Sequence, residues 1–197
     1  KAVIKVLFVG EGSSCRFDSP DLPEAQKEIK IRNSYAVDAL TFLGINKFTF
    51  NNFPCGRFDT VPLIEMNKII ENEIKKFNPD TIFTHSDCDS NKDHVKVNEA
   101  TIIATRPGSG VENLFSYEVL SSTEWGFKKS FSPNVFFSLS KKNVEDKCNA
   151  LKIYETEVKP YPYPRSREGV TILSKLRGMQ SGTLFSEAFK LIRQFNK

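Results

Sequence analysis

The segment Val3–Val9 is a nearly continuous run of β-branched and apolar residues broken only by Lys5, and it stops at Gly10. That is the pattern of a strand buried on both faces of a parallel sheet. A parallel sheet needs crossover connections, and the chain supplies them. Glu24–Leu43 places Ile29, Ile31, Ala36, Val37, Leu40 and Leu43 at a roughly helical period, with Gly44 as a stop. Lys47–Phe50 is a short second strand, and Asn51–Asp59 is a turn-rich loop. Leu63–Phe77 is an amphipathic helix closed by the N-P-D turn at Asn78–Asp80, and Thr81–Thr84 is a strand running into His85. Further on, His94–Thr105 reads as helix, Asn113–Leu120 and Asn134–Leu139 as strands, and Asn143–Val158 as helix. Three prolines within Pro160–Pro164 exclude helix there, and Arg167–Leu176 and Thr183–Phe195 read as closing helices. The alternation predicts one α/β domain over 1–197, with a largely parallel sheet, helices on both faces, and function in the loops at the strand carboxyl ends.

Composition narrows the function classes. With 39% hydrophobic and 26% charged residues, the chain is neither disordered nor fibrous. No apolar run approaches the roughly 18 residues of a membrane span, and Lys1–Val9 is too short for a secretory signal, so the cytoplasm is the expected compartment. The four cysteines, Cys15, Cys55, Cys88 and Cys148, form no C-x-x-C and are expected as thiols. A balance of 28 basic against 24 acidic residues argues against a nucleic-acid partner. There are only two histidines, His85 and His94, so any imidazole chemistry must use them. The first residue is Lys1, before which an initiator methionine is normally retained, so the natural start is expected upstream.

The densest polar cluster is T-H-S-D-C-D-S-N-K-D-H at Thr84–His94, after a strand and before a helix. It holds both histidines at a strand's carboxyl end, where ligands of α/β sheets bind. The plain structural reading is a solvated loop in which Asp93 is the N-cap and His94 the first helical residue. Against it, His and Asp are typical ligands of divalent metals, and a carboxylate commonly orients a ligating imidazole. A second cluster, G-E-G-S-S-C-R-F-D at Gly10–Asp18, lacks the lysine of a phosphate loop and the third glycine of a dinucleotide fingerprint. It reads better as a loop presenting Ser13, Ser14 and Arg16 to a polar substrate.

Several segments together resemble one family, the PIG-L/LmbE-like metal-dependent de-N-acetylases. The residues that carry the likeness are E-G-S-S-C-R at Glu11–Arg16, F-P-C-G-R-F-D at Phe53–Asp59 and N-P-D-T-I-F-T-H-S-D-C-D-S-N-K-D-H at Asn78–His94. They continue through E-A-T-I-I-A-T-R-P at Glu99–Pro107, Y-E-V-L-S-S-T-E-W at Tyr117–Trp125 and P-N-V-F at Pro133–Phe136. A-L-K-I-Y-E-T-E at Ala150–Glu157, P-Y-P-R-S at Pro162–Ser166 and the stretch Arg177–Phe189 complete the series. The resemblance implies a Rossmann-like α/β fold and hydrolysis of the acetamide of an N-acetylglucosamine-type sugar. It also implies zinc or another divalent metal, which polarises the acetyl carbonyl and acidifies bound water. It makes His94 a metal ligand, Asp93 the carboxylate beside it, and Asn91 the counterpart of a catalytic histidine found in many members. An amide there can donate a hydrogen bond but cannot shuttle a proton. Arg16 matches an arginine that faces the sugar. His85, Asp89, Arg57 and Arg165 match recurrent polar positions around the substrate pocket. The family often forms symmetric assemblies, so a homo-oligomer is consistent with it.

One departure matters. The family's first strand leads into A-H-P-D-D-E, whose histidine and second aspartate bind metal and whose first aspartate is the general base, and this sequence has no H-P-D-D. Glu11 could replace the ligand histidine in a degenerate version, but E-G-S-S-C-R aligns better with the loop after the family's second strand. On that alignment a central strand and its helix, roughly 30–40 residues by the size of a βα unit, are expected upstream of Lys1. The competing expectations are a catalytically inactive relative that binds sugar or a partner, and a nucleotide-dependent transferase using Gly10–Ser14.

Overall fold

The computed structural model describes residues 2–195. In chain order the strands are β1 (Lys5–Gly10), β2 (Lys47–Phe53), β3 (Thr81–His85), β4 (Asn113–Tyr117), β5 (Val135–Ser138) and β6 (Ser186–Gln194). The helices are α1 (Pro23–Phe42), α2 (Leu63–Phe77), α3 (Lys92–Ala104), α4 (Lys141–Lys152) and α5 (Arg167–Ser181). The α/β alternation and the parallel pairing of the first half follow the sequence. β1 pairs with β2 in parallel, Lys5 opposite Lys47, and β3 pairs with β4 in parallel, Thr81 opposite Asn113.

The pairings fall into two sheets, β1-β2 and β3-β4-β6-β5. Among the described residues, β1 and β3 therefore each have a partner on one side only. What joins the sheets is helix packing. Met66, Ile70 and Ile74 of α2 and Val97, Ala100 and Ala104 of α3 form one buried cluster, against which Leu7 and Val9 of β1 and Ile82 of β3 pack. β1 is accordingly half-buried along its whole length rather than buried on both faces, because one edge lacks a neighbouring strand. No helix among the described residues is long and apolar enough to cross a membrane.

The second half corrects the sequence reading most at its end. Thr183–Phe195 is not a helix but carries β6, antiparallel to both β4 and β5. The left-handed Gly182 at φ +73 ends α5 at Ser181, and alternation then puts Ser186 and Ala188 in the interior. An apolar run this short fits either period, and two available strand partners decide it. α4 ends at Lys152, earlier than expected, and Pro160–Pro164 is non-helical as expected. A second small core joins α4 to α5 through Val144, Cys148 and Val170.

α5 starts at the N-cap Ser166, whose hydroxyl accepts the Gly169 N–H at 2.9 Å and which is almost fully buried. Ser166→Ala is expected to lower stability by about 1–2 kcal/mol, the usual value of such a cap. Chemical denaturation of the variant beside the parent measures it, and an unchanged midpoint would refute it.

Candidate active site

The loops after β1, β2 and β3 are tied together by two carboxylates. Glu11 follows β1 directly and is buried. Its side chain accepts the N–H groups of Ser13 (2.6 Å) and Ser14 (3.0 Å), the Ser14 hydroxyl, and the Cys55 N–H from the loop after β2 (2.6 Å). Burial works against its charge, but these donors outweigh it and leave the carboxyl below its ordinary pKa. Two readings of G-E-G-S-S fall with this geometry. Glu11 is turned inward and is no metal ligand, and Ser13 and Ser14 are fully buried rather than presented to a substrate. The amides that a phosphate would need are already taken by Glu11, which also removes the basis of the nucleotide reading.

Asp93 makes the second tie. It lies in the first turn of α3, where one oxygen accepts the Gly56 N–H at 2.5 Å and the other the Phe58 N–H at 3.2 Å. With both oxygens on backbone amides, Asp93 positions the loop after β2 rather than standing free as a base. Asn91, not Asp93, is the N-cap of α3: its side-chain oxygen accepts the Asp93 N–H at 2.9 Å. Asn91 therefore acts here as a helix cap, and the helix starts at Lys92, ahead of His94.

His94 is the side chain best prepared for chemistry. Its Nδ1 lies 3.0 Å from Asp89, whose carboxylate also accepts the Asn91 N–H (2.8 Å), the Ser122 hydroxyl (3.0 Å) and the Thr123 hydroxyl (2.8 Å). Burial opposes ionisation of Asp89, but His94 and these donors prevail and hold it charged, below its ordinary pKa. Asp89 is thus sealed from substrate, contrary to the expectation, and works by orienting His94. Among the described residues the His94 Nε2 has no hydrogen-bond partner and remains available. His85 also leaves the substrate-facing role. Its ring stacks on His94 at 4.0 Å, its Nε2 lies 3.4 Å from the Tyr117 hydroxyl, and its Nδ1 is buried without a partner. Burial, then the neighbouring His94, pushes it down to about 3, so it is neutral packing behind His94.

The arginines meet elsewhere. Arg16 donates to Glu157 at 2.5 Å, Arg165 donates to the other oxygen of the same carboxylate at 2.6 Å, and Arg32 joins them. The structure brings Arg16 and Arg165 together on one carboxylate, whose owner, Glu157, and third partner, Arg32, the sequence reading does not single out. Arg16 also reaches Glu28 at 3.5 Å, so three guanidiniums meet two carboxylates, with the Arg16 side chain still 41% exposed. Arg57 does not bind Glu157 and donates instead to the Asp18 carbonyl at 2.9 Å.

A catalytic zinc takes three protein ligands and keeps one position open. His94 fits such a role, with one ring nitrogen fixed by a carboxylate and the other free. Among the described residues, however, no group of three His, Cys, Asp or Glu side chains is placed to hold a metal ion, so these residues do not make a metal site by themselves.

Comparison with known proteins agrees with the fold. The family model described as GlcNAc-PI de-N-acetylase, PIG-L, matches residues 1–105. N,N'-diacetylchitobiose deacetylase from Pyrococcus horikoshii superposes with a TM-score of 0.70 at 16% identity, over 96% of this chain and 72% of that one. The zinc-inhibited form of teicoplanin deacetylase Orf2 gives a TM-score of 0.73 at 14% identity, over 99% of this chain and 89% of that one. The 4-carboxy-2-hydroxymuconate hydratase of Pseudomonas putida KT2440 gives 0.68 at 18% identity, over 98% and 85%. A comparison with curated proteins gives no match. At these identities the likeness to solved structures is one of fold, and the hydratase among them means that the fold alone does not name the reaction.

Proposed function

The chain belongs to the PIG-L family of de-N-acetylases, and from that premise we propose that the protein removes the acetyl group of an N-acetylglucosamine-type sugar as a metal-dependent amide hydrolase. The observation that carries the reading is His94, with Nδ1 on the buried Asp89 and Nε2 free at the carboxyl end of β3. In this proposal His94 is one ligand of zinc or another divalent cation, and Asp89 fixes the tautomer and ring orientation that ligation needs. Asp93 and Asn91 hold the start of α3, and thereby His94, in place. Arg16, with donors left over from Glu157, faces the sugar hydroxyls.

The remaining ligands belong, in the same proposal, to a further strand of the H-P-D-D-E type seated between β1 and β3. What supports this is that β1 and β3, each paired on one side only among the described residues, pack against the same α2–α3 core. A catalytically inactive sugar-binding relative is the second reading, favoured because no group of three His, Cys, Asp or Glu side chains among the described residues is placed to hold a metal ion.

The test is acetate release from N-acetylglucosaminyl substrates by the full-length protein loaded with zinc, with metal content measured in parallel. Turnover and stoichiometric metal are expected, both lost in His94→Ala. Bound metal without turnover above that variant would sink the hydrolase, whereas neither metal nor turnover would establish the inactive reading.

A further inference from the structure

Cys15 and Cys55 lie on different loops, yet their sulfurs are 3.3 Å apart. Cys15 sits in the short helical turn after β1 and is exposed, while Cys55 lies just past β2 and is half-buried. The other two thiols are buried and face elsewhere, Cys88 towards Asp87 and Cys148 towards the Arg167 carbonyl.

Two features hold this pair together independently of the sulfurs. The Glu11 carboxylate binds Ser13 and Ser14 from one loop and the Cys55 N–H from the other. Gly56, at φ +74, lets the loops touch, since a Cβ there would lie 2.9 Å from the Cys15 Cβ. Both backbones are therefore set before any bond forms. The sulfurs need to close by only a little over 1 Å to reach the roughly 2.05 Å of a disulfide.

We infer that Cys15 and Cys55 form a covalent modification site, a dithiol that a small-molecule disulfide such as glutathione disulfide oxidises to an intrachain bridge. The Cys15 thiolate, its proton lost to solvent, attacks the external disulfide and releases one thiol. Cys55 then gives up its proton, and its sulfur displaces the second thiol from Cys15. Two cysteines are oxidised and one external disulfide is reduced to two thiols. Exposure makes Cys15 the first to react, whereas burial and the adjacent Cys15 push the Cys55 thiol up to about 12. The bridge locks the loop that carries Arg16 onto the loop that carries Arg57.

The experiment exposes the full-length protein to glutathione disulfide and maps its peptides without reduction. A Cys15–Cys55 linked peptide is expected, with an intact mass lower by two hydrogens. A melting temperature roughly 5–10 °C above that of the reduced protein is also expected, from the chain entropy removed. Cys55→Ser should stop at a glutathione adduct on Cys15, and Gly56→Ala, which presses the loops apart, should bridge roughly tenfold more slowly. Wild-type protein that stops at the Cys15 adduct, or that bridges through Cys88 or Cys148 instead, overturns the inference. That mapping needs no variant to fold.

Discussion

Replacing Glu11 with alanine is expected to destabilise the protein by about 3–5 kcal/mol, because several buried donors lose a charged acceptor at once. The side chain is only 5% exposed and takes four donors, three of them backbone N–H groups. Without it, the amides of the fully buried Ser13 and Ser14 are left unsatisfied, at roughly 1–3 kcal/mol each where water cannot reach them. Glu11→Gln separates charge from shape. Its oxygen can still accept, but its NH₂ group faces donors, so much of the loss should persist. Thermal unfolding measures both, with a fall of roughly 10 °C expected for the alanine variant. A fall of only a degree or two would mean that water replaces the carboxylate and that the loops are not held by it. The variant should also free Cys55 from the loop of Cys15, so that bridging under glutathione disulfide slows along with the loss of stability.

The reach of such contacts explains what was legible in the sequence. α2 was readable to the residue at both ends because Met66, Ile70 and Ile74 follow one helical stripe and Asn78 accepts the left-handed φ of 50° that stops the helix. The importance of Thr84–His94 was readable too, because a polar cluster directly after a strand is a local signal. The roles within it were not. Asp89 is defined by Ser122 and Thr123, 33 and 34 residues away, and Asp93 by the amides of Gly56 and Phe58. No spacing rule links those positions, so Asp89 reads as a substrate contact and Asp93 as a catalytic carboxylate beside His94. β6 failed for a different reason. Phe185, Ala188, Phe189 and Leu191 suit a helical stripe as well as a strand, and only the open edges of β4 and β5 choose between them.

Glu157→Gln is expected to cost about 2–4 kcal/mol, and its dependence on pH and salt identifies the cause. Glu157 is 5% exposed and bears Arg16, Arg32 and Arg165, which join α1 and the loop after β1 to the segment before α5. Breaking a buried ion pair costs about 3–5 kcal/mol, and arginines that keep partial access to water bring the cost down. Burial alone would raise the pKa of this carboxyl, but Arg32 first, then Arg165 and Arg16, carry it below its ordinary 4.5. A carboxyl depressed on folding contributes stability that is complete above its unfolded pKa and disappears as pH falls through the folded value. The parent should therefore lose stability below about pH 4.5 faster than the glutamine variant, and the gap between them should close in acid. Salt should also narrow the gap at neutral pH. With the carboxylate gone, three guanidiniums repel one another at partly exposed positions, and screening relieves that, so the variant should gain more than the parent between low and about 1 M salt. A gap independent of both variables would assign the loss to packing and remove the ion cluster as its source. On the proposed function, in which Arg16 faces the sugar, the variant should also bind N-acetylated sugar more weakly than the parent at pH 7, even where both are fully folded.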